Sequence, residues 1–149
     1  MGTILSRCGL EFMRAMINGE LAGPPIWQTL GFKPIVADEG TVTFEGAPEF
    51  STMNPIGTVH GGWYGTILDS CMACAVQTML KPGQIYTTLE YKINILRPIP
   101  VGMTVHAVGT VQHVGRSTGI SVGEVRGVED GKLYATGSTT CIVMNGPKP

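Results

Sequence analysis

Asn54-Pro55-Ile56-Gly57-Thr58-Val59-His60-Gly61-Gly62-Trp63-Tyr64-Gly65-Thr66-Ile67-Leu68-Asp69, running on through Ser70-Cys71-Met72-Ala73-Cys74-Ala75-Val76-Gln77-Thr78-Met79-Leu80, is the stretch around which the chain is arranged. A glycine-rich turn opens it, mostly apolar residues follow, and one carboxylate, Asp69, stands inside the apolar part with no cation within four residues on either side. An unpaired Asp in a buried helix is costly, because desolvation raises the energy of its charged form and no ion pair offsets it. On a helix, Asp69 shares its side with Thr66, Ala73 and Gln77, a narrow polar stripe on an apolar rod. That pattern fits a helix lining a cavity at a subunit seam; an Asp satisfied by backbone or hydroxyl donors is the plainer alternative.

The turn has its own chemistry. Backbone N–H groups at a helix start lack intrahelical partners and sit at the positive end of the dipole. With glycine at 61 and 62, they can meet a carbonyl oxygen that turns negative during acyl transfer; a loop that simply needs a sharp bend explains the glycines equally well. His60 and Asp69 are nine residues apart, a rise of about 13–14 Å on a helix, so one reacting carbon cannot touch both ends. If they serve one site, the turn comes from one subunit and Asp69 from another, in a symmetric dimer with two equivalent sites.

Composition agrees. The 149 residues suffice for a single domain, and with 14% charged and 43% apolar residues the chain has less polar surface than a small monomer needs, so another subunit is expected to cover part of it. A net charge of -1 without any Lys/Arg run gives no nucleic-acid footprint. Cys71 and Cys74 form a Cys-x-x-Cys, but no second Cys or His pair stands at ligand spacing, and both fall in the apolar helix, where Cys acts as a small hydrophobe. No metal is expected. Arg7, Glu11 and Arg14 interrupt any signal peptide, while Asp69, Gln77 and hydroxyl side chains argue against a membrane span. The expectation is a soluble, cytoplasmic protein.

Outward from the central stretch, residues 3–18 read as a short amphipathic helix stopped by Asn18-Gly19, and Gly23-Pro24-Pro25 ends any continuation. Trp27 to Val36 reads as extended, Asp38-Glu39-Gly40 as a turn, and Thr41–Glu45 as a strand completing a hairpin. After the helix and the Lys81-Pro82-Gly83 stop, Thr88–Ile95 alternates with Leu89, Tyr91, Ile93 and Ile95 on one face. Met103–Val114, Ile120–Val128 and Leu133–Met144 follow as strands, joined at Gly115-Arg116-Ser117 and Glu129-Asp130-Gly131-Lys132. Gly119, Gly123 and Gly127 share one face, read as close approach or sheet curvature. The division is residues 1–24 as N-terminal helix and linker, 25–145 as one domain and 146–149 as a tail. The fold class expected is α+β, a long antiparallel β-sheet wrapped around one central buried α-helix, an arrangement that resembles the hotdog fold.

Asn54, His60-Gly61-Gly62, Asp69, Thr88, Arg97-Pro98, Gly115-Arg116, Asp130-Gly131-Lys132 and Ala135 together resemble the phenylacetate-degradation (PaaI-like) type of hotdog acyl-CoA thioesterase, over roughly residues 50–144. The resemblance implies that Asp69 activates water or attacks the thioester, that the Gly61 N–H polarises its carbonyl, that His60 and Asn54 shape the loop, and that Thr88 helps hold the water. It implies no cofactor beyond the coenzyme A of the substrate, and a homodimer or a dimer of dimers. For the substrate, Gly62, Trp63 and Thr66 are expected along the acyl side with Tyr64, Met53 and Ile56, and Arg97 and Arg116 at the coenzyme A phosphates. Trp63, Tyr64, Met53 and Ile56 also suit a core, and for Trp63 the core is the favoured reading. Two other readings stay open: an enoyl-thioester hydratase or dehydratase with His60 as base, and a non-catalytic acyl-CoA sensor.

Overall fold

In the computed structural model, which describes residues 5–147, α1 (Gly9–Ile17) and α2 (Pro25–Leu30) precede a hairpin of β1 (Phe32–Asp38) and β2 (Thr41–Gly46). A short turn of 3-10 helix, Phe50–Thr52, leads to α3 (Gly61–Thr78), followed by β3 (Gln84–Ile95), β4 (Val105–Val114), β5 (Thr118–Gly127) and β6 (Leu133–Asn145). The strands form one antiparallel sheet in the order β1-β2-β4-β5-β6-β3, which leaves β1 and β3 as edges. No helix among the described residues is long and apolar enough to cross a membrane.

Three expectations need correction. The helix expected over residues 3–18 is interrupted: Leu5 and Ser6 are helical, Cys8 is extended (φ -68°, ψ 158°), and a new helix starts at Gly9, whose N–H is spent on the Leu80 carbonyl at 2.9 Å; residues 3 and 4 lie outside the described residues, as do 148 and 149 of the tail. Residues 25–30 are helical, not extended. Pro25 sits in the first turn, where its fixed φ favours a helix and its missing N–H costs nothing, and Gly31 ends that helix at φ 69°. Third, Leu89 does not share a face with Tyr91, Ile93 and Ile95. Thr88 pairs with Cys141 and Glu90 with Thr140, so Leu89 is an extra residue in a β-bulge and is 61% exposed.

The helix α3 lies across the concave side of the sheet, apolar nearly all round, as the sequence requires. A row of glycines directly opposite one another, Gly109 on β4, Gly123 on β5 and Gly137 on β6, lets it come close. A Cβ on Gly109 would run into the Cys71 carbonyl, and one on Gly123 would meet Met72 at 2.8 Å and Leu68 at 3.0 Å. Gly119 lies against Val76 in the same way, so close approach is the reason for the spaced glycines at 119 and 123. Ser121 adds a buried hydrogen bond from its hydroxyl to the Met72 carbonyl, 2.7 Å. Gly109→Ala therefore forces the helix backbone off the sheet and is expected to cost roughly 1–3 kcal/mol in urea unfolding. Gly137→Ala meets the flexible end of Met72 at 3.1 Å and the Lys92 carbonyl oxygen at 3.3 Å, a milder crowding, and should cost less.

Candidate active site

Asp69 sits midway along α3, half-buried, with Oδ1 accepting a hydrogen bond from Thr88 Oγ1 at 2.9 Å. Its other oxygen makes no hydrogen bond and no ion pair among the described residues. Burial pushes the carboxyl above its usual range, and the Thr88 hydroxyl pulls partly back. Around it stand the buried thiols of Cys71, Cys74 and Cys141 and the phenol of Tyr86, each raised by burial, Cys74 to about 12. These neighbours stay neutral near pH 7, so the carboxylate charge has no counter-ion.

At the start of α3 the donors are divided up. His60 is the N-cap, its Nδ1 accepting from the Gly62 N–H at 2.9 Å, and the Trp63 N–H goes to the His60 carbonyl at 3.0 Å. The Gly61 N–H makes no hydrogen bond among the described residues and opens on a cleft of about 320 Å³ shared with Asn54, Tyr64, Ile95 and Arg97. Gly62, expected at the substrate, has its N–H committed to the cap. Asn54 builds the loop: its Oδ1 accepts from the Ile56 and Thr58 N–H groups at 3.1 Å each, its Nδ2 donates to Thr58 Oγ1 at 2.8 Å, and Gly57 turns at φ 83°.

The other expected residues separate. Thr66 donates to the Gly62 carbonyl at 2.8 Å and lies on the open side of α3 with Gly62, Asp69 and Ser70. The expected stripe is open only in that first half, since Ala73 and Gln77 are buried. Trp63 belongs to the core, not to a substrate pocket: it is 2% exposed, its indole N–H donates to the Leu30 carbonyl at 2.9 Å, and it packs edge-on against Phe32. Arg97 is at the Gly61 cleft, with its Nε on the Leu133 carbonyl at 2.9 Å. Arg116 lies at the opposite end of α3, in a cleft of about 490 Å³ with Lys81 and Met79. Tyr64, expected to line the acyl pocket, instead anchors the strand exit: its hydroxyl accepts from the Ile99 N–H at 2.7 Å and donates to the Arg97 carbonyl at 3.1 Å. No periodicity announces that role. Among the described residues no group of three or more His, Cys, Asp or Glu side chains could hold a metal ion.

A raised native pKa means that folding favours the protonated carboxyl. The contribution of Asp69 to stability is present below its unfolded pKa and lost as pH rises through the native one, so at pH 7 its charge destabilises the fold. Asp69→Asn is expected to melt at a higher temperature than the native protein at pH 7 in calorimetry, with the difference shrinking as pH falls through the native pKa of Asp69.

Comparison with known proteins gives the family. The thioesterase superfamily model matches residues 56–134, just over half the chain, including both Gly61 and Asp69. The phenylacetic acid degradation-related protein of Ralstonia eutropha JMP134 is 31% identical, with a TM-score of 0.79 over 87% of this chain and 98% of that one. A hypothetical thioesterase protein of Streptococcus pneumoniae TIGR4, solved with coenzyme A, shares the fold at 21% identity and a TM-score of 0.72, over 81% of this chain and 93% of that one. A Caenorhabditis elegans protein provisionally named as an esterase, F42H10.6, is 29% identical over 107 residues, 72% of this chain but 63% of that protein. The chain thus belongs to the thioesterase superfamily, as a hotdog protein of the PaaI-like kind.

Proposed function

We propose that the protein hydrolyses an acyl- or aryl-CoA thioester to the free acid and coenzyme A at sites shared between two subunits. The supporting observation is how β3 lies along α3. Gly61 is over Ile95, Gly65 over Tyr91, and Asp69 over Thr88. Residue 65 is midway between 61 and 69, and Tyr91 is close to midway between 88 and 95. β3 is a free edge of twelve residues with Leu89, Tyr91 and Ile95 61%, 46% and 47% exposed, a surface that invites pairing. A two-fold axis near Gly65 and Tyr91 pairs the two β3 edges and lays Asp69 of each subunit opposite the Gly61 N–H of the other. The small residues on the open side of α3 leave room for two helices to approach.

In such a site the thioester carbonyl oxygen accepts from the Gly61 N–H, the remaining free donor of the helix start, at the positive end of the dipole. The unbonded oxygen of Asp69 takes the proton of an attacking water, or itself adds to the carbon and is released by water in a second step; either way the C–S bond breaks and the coenzyme A thiolate leaves with a proton. A desolvated carboxylate without a counter-ion is a stronger base than an exposed one, which suits either role. Thr88 fixes the first oxygen so that the second faces the substrate. Arg97 stands at the mouth of the Gly61 cleft, and Arg116 with Lys81 lies about 15 Å beyond Asp69 along α3, positions from which they meet the phosphates. The dehydratase reading is weakened because Nδ1 of His60 is occupied as an acceptor, so the neutral ring presents an N–H at Nε2 and no base.

Release of coenzyme A from a panel of aryl- and alkyl-CoA thioesters tests this. Asp69→Asn is expected to lose at least about 100-fold in turnover. Gly61→Pro removes the N–H and puts a ring carbon in its place, at a first helical position where proline is welcome, after a His60 already extended at ψ 139°; it should fold and lose about 100- to 1,000-fold. Turnover unchanged in either variant contradicts the assignment, and CoA esters that bind without cleavage make the protein a sensor.

A further inference from the structure

The side chains that β3 presents to α3 change parity within the strand. Thr88 faces the helix, with its hydroxyl on Asp69, whereas Tyr91 faces it beside Gly65 and Ile95 beside Gly61. Residue 88 is even and residues 91 and 95 are odd, and a regular strand cannot turn both parities to one side. The Leu89 bulge makes it possible by sending Leu89 and Glu90 both to solvent. A bulge also disrupts the ladder locally, and here the Glu90 carbonyl accepts from Thr139 Oγ1 at 2.7 Å. Thr139 is 1% exposed, sits on β6 opposite Tyr91, and is two residues from Cys141, the partner of Thr88.

Resting on the hydrolase reading, we propose that Thr139 is a positioning residue for this reaction. Its hydroxyl clamps the bulge, the bulge turns Thr88 toward α3, and Thr88 holds one oxygen of Asp69 so that the other is free. Without the clamp, the strand is free to slip by one residue toward a regular ladder, which turns Thr88 away while Tyr91, Ile93 and Ile95 stay packed on the helix.

The test pairs Thr139→Val, close in shape but without a hydroxyl, with Thr139→Ser, which keeps it. Two readouts are taken: kcat/KM for CoA esters across pH, and the titration of the Asp69 carboxyl carbon by NMR in the free protein. The titratable groups facing Asp69 are Cys71 and Cys74 on α3, Tyr86 on β3 and Cys141 on β6, all neutral across this range, so the carboxyl reports its own proton. In the valine variant the Asp69 titration is expected to move to higher pH, because the Thr88 hydrogen bond that lowers it is lost, and kcat/KM to fall about tenfold or more. The serine variant is expected to match the native protein in both. A valine variant with native titration and kcat/KM, or a serine variant as impaired as valine, overturns the proposal. If valine does not fold, Thr139→Cys, a weak donor of similar size, takes its place with the same expected direction. Should the native protein cleave no thioester, the hydrolase reading fails on that assay alone, and the NMR titration still decides whether Thr139 positions Thr88.

Discussion

The contact between α3 and the glycine row of β4, β5 and β6 is the constraint from which the rest of the molecule follows. Where the Cys71 carbonyl presses on Gly109 and the Met72 side chain on Gly123 and Gly137, the sheet puts no side chain in the way, so it wraps the helix instead of merely supporting it. Wrapping buries the helix on nearly every side and leaves the middle of its length among thiols and aliphatic groups. A carboxylate placed there is desolvated whatever else surrounds it. The stability lost by charging Asp69 and the basicity proposed for it at the site have one physical origin.

On the proposed reading, the same packing leaves one chain with only halves of a site. The helix start offers a free N–H and the helix middle offers a free carboxylate oxygen, about 12 Å apart along one rigid rod. No loop movement within the chain closes that gap. In the proposed dimer the unpaired edge of β3, running alongside the open face of α3, supplies the symmetry element that does, with the axis near the contact of Gly65 with Tyr91. In that proposed dimer, substrate recognition, catalysis and assembly all depend on one strand and one helix.

Much of this was legible in the sequence because the strongest signals are local. An unpaired Asp in an apolar run, a glycine turn before it and regular strand punctuation after it were enough for the fold, and the family match and the neighbouring structures agree. The failures have physical causes too. Gly23-Pro24-Pro25 stops one helix, but Pro25 also starts another, and composition does not separate a stop from a start. Strict alternation over Thr88–Ile95 hid the Leu89 bulge, because the extra residue is apolar and so imitates the pattern it breaks. Trp63 beside the glycine turn reads as core or as pocket wall, and only Leu30 and Phe32, far away in sequence, decide for the core. Thr139 and Tyr64 act through hydrogen bonds to backbone groups of distant segments, which no spacing rule signals.

The central claim is that each site takes its carboxylate from one subunit and its oxyanion donor from the other, and mixing inactive variants tests it most directly. Asp69→Asn and Gly61→Pro are unfolded together and refolded as one population, and coenzyme A release is compared with each parent alone. A composite site predicts that half of the dimers become mixed and that one of the two sites in each is intact, restoring about a quarter of native turnover. A mixture no more active than its parents, in a population shown to exchange subunits, would contradict the shared site.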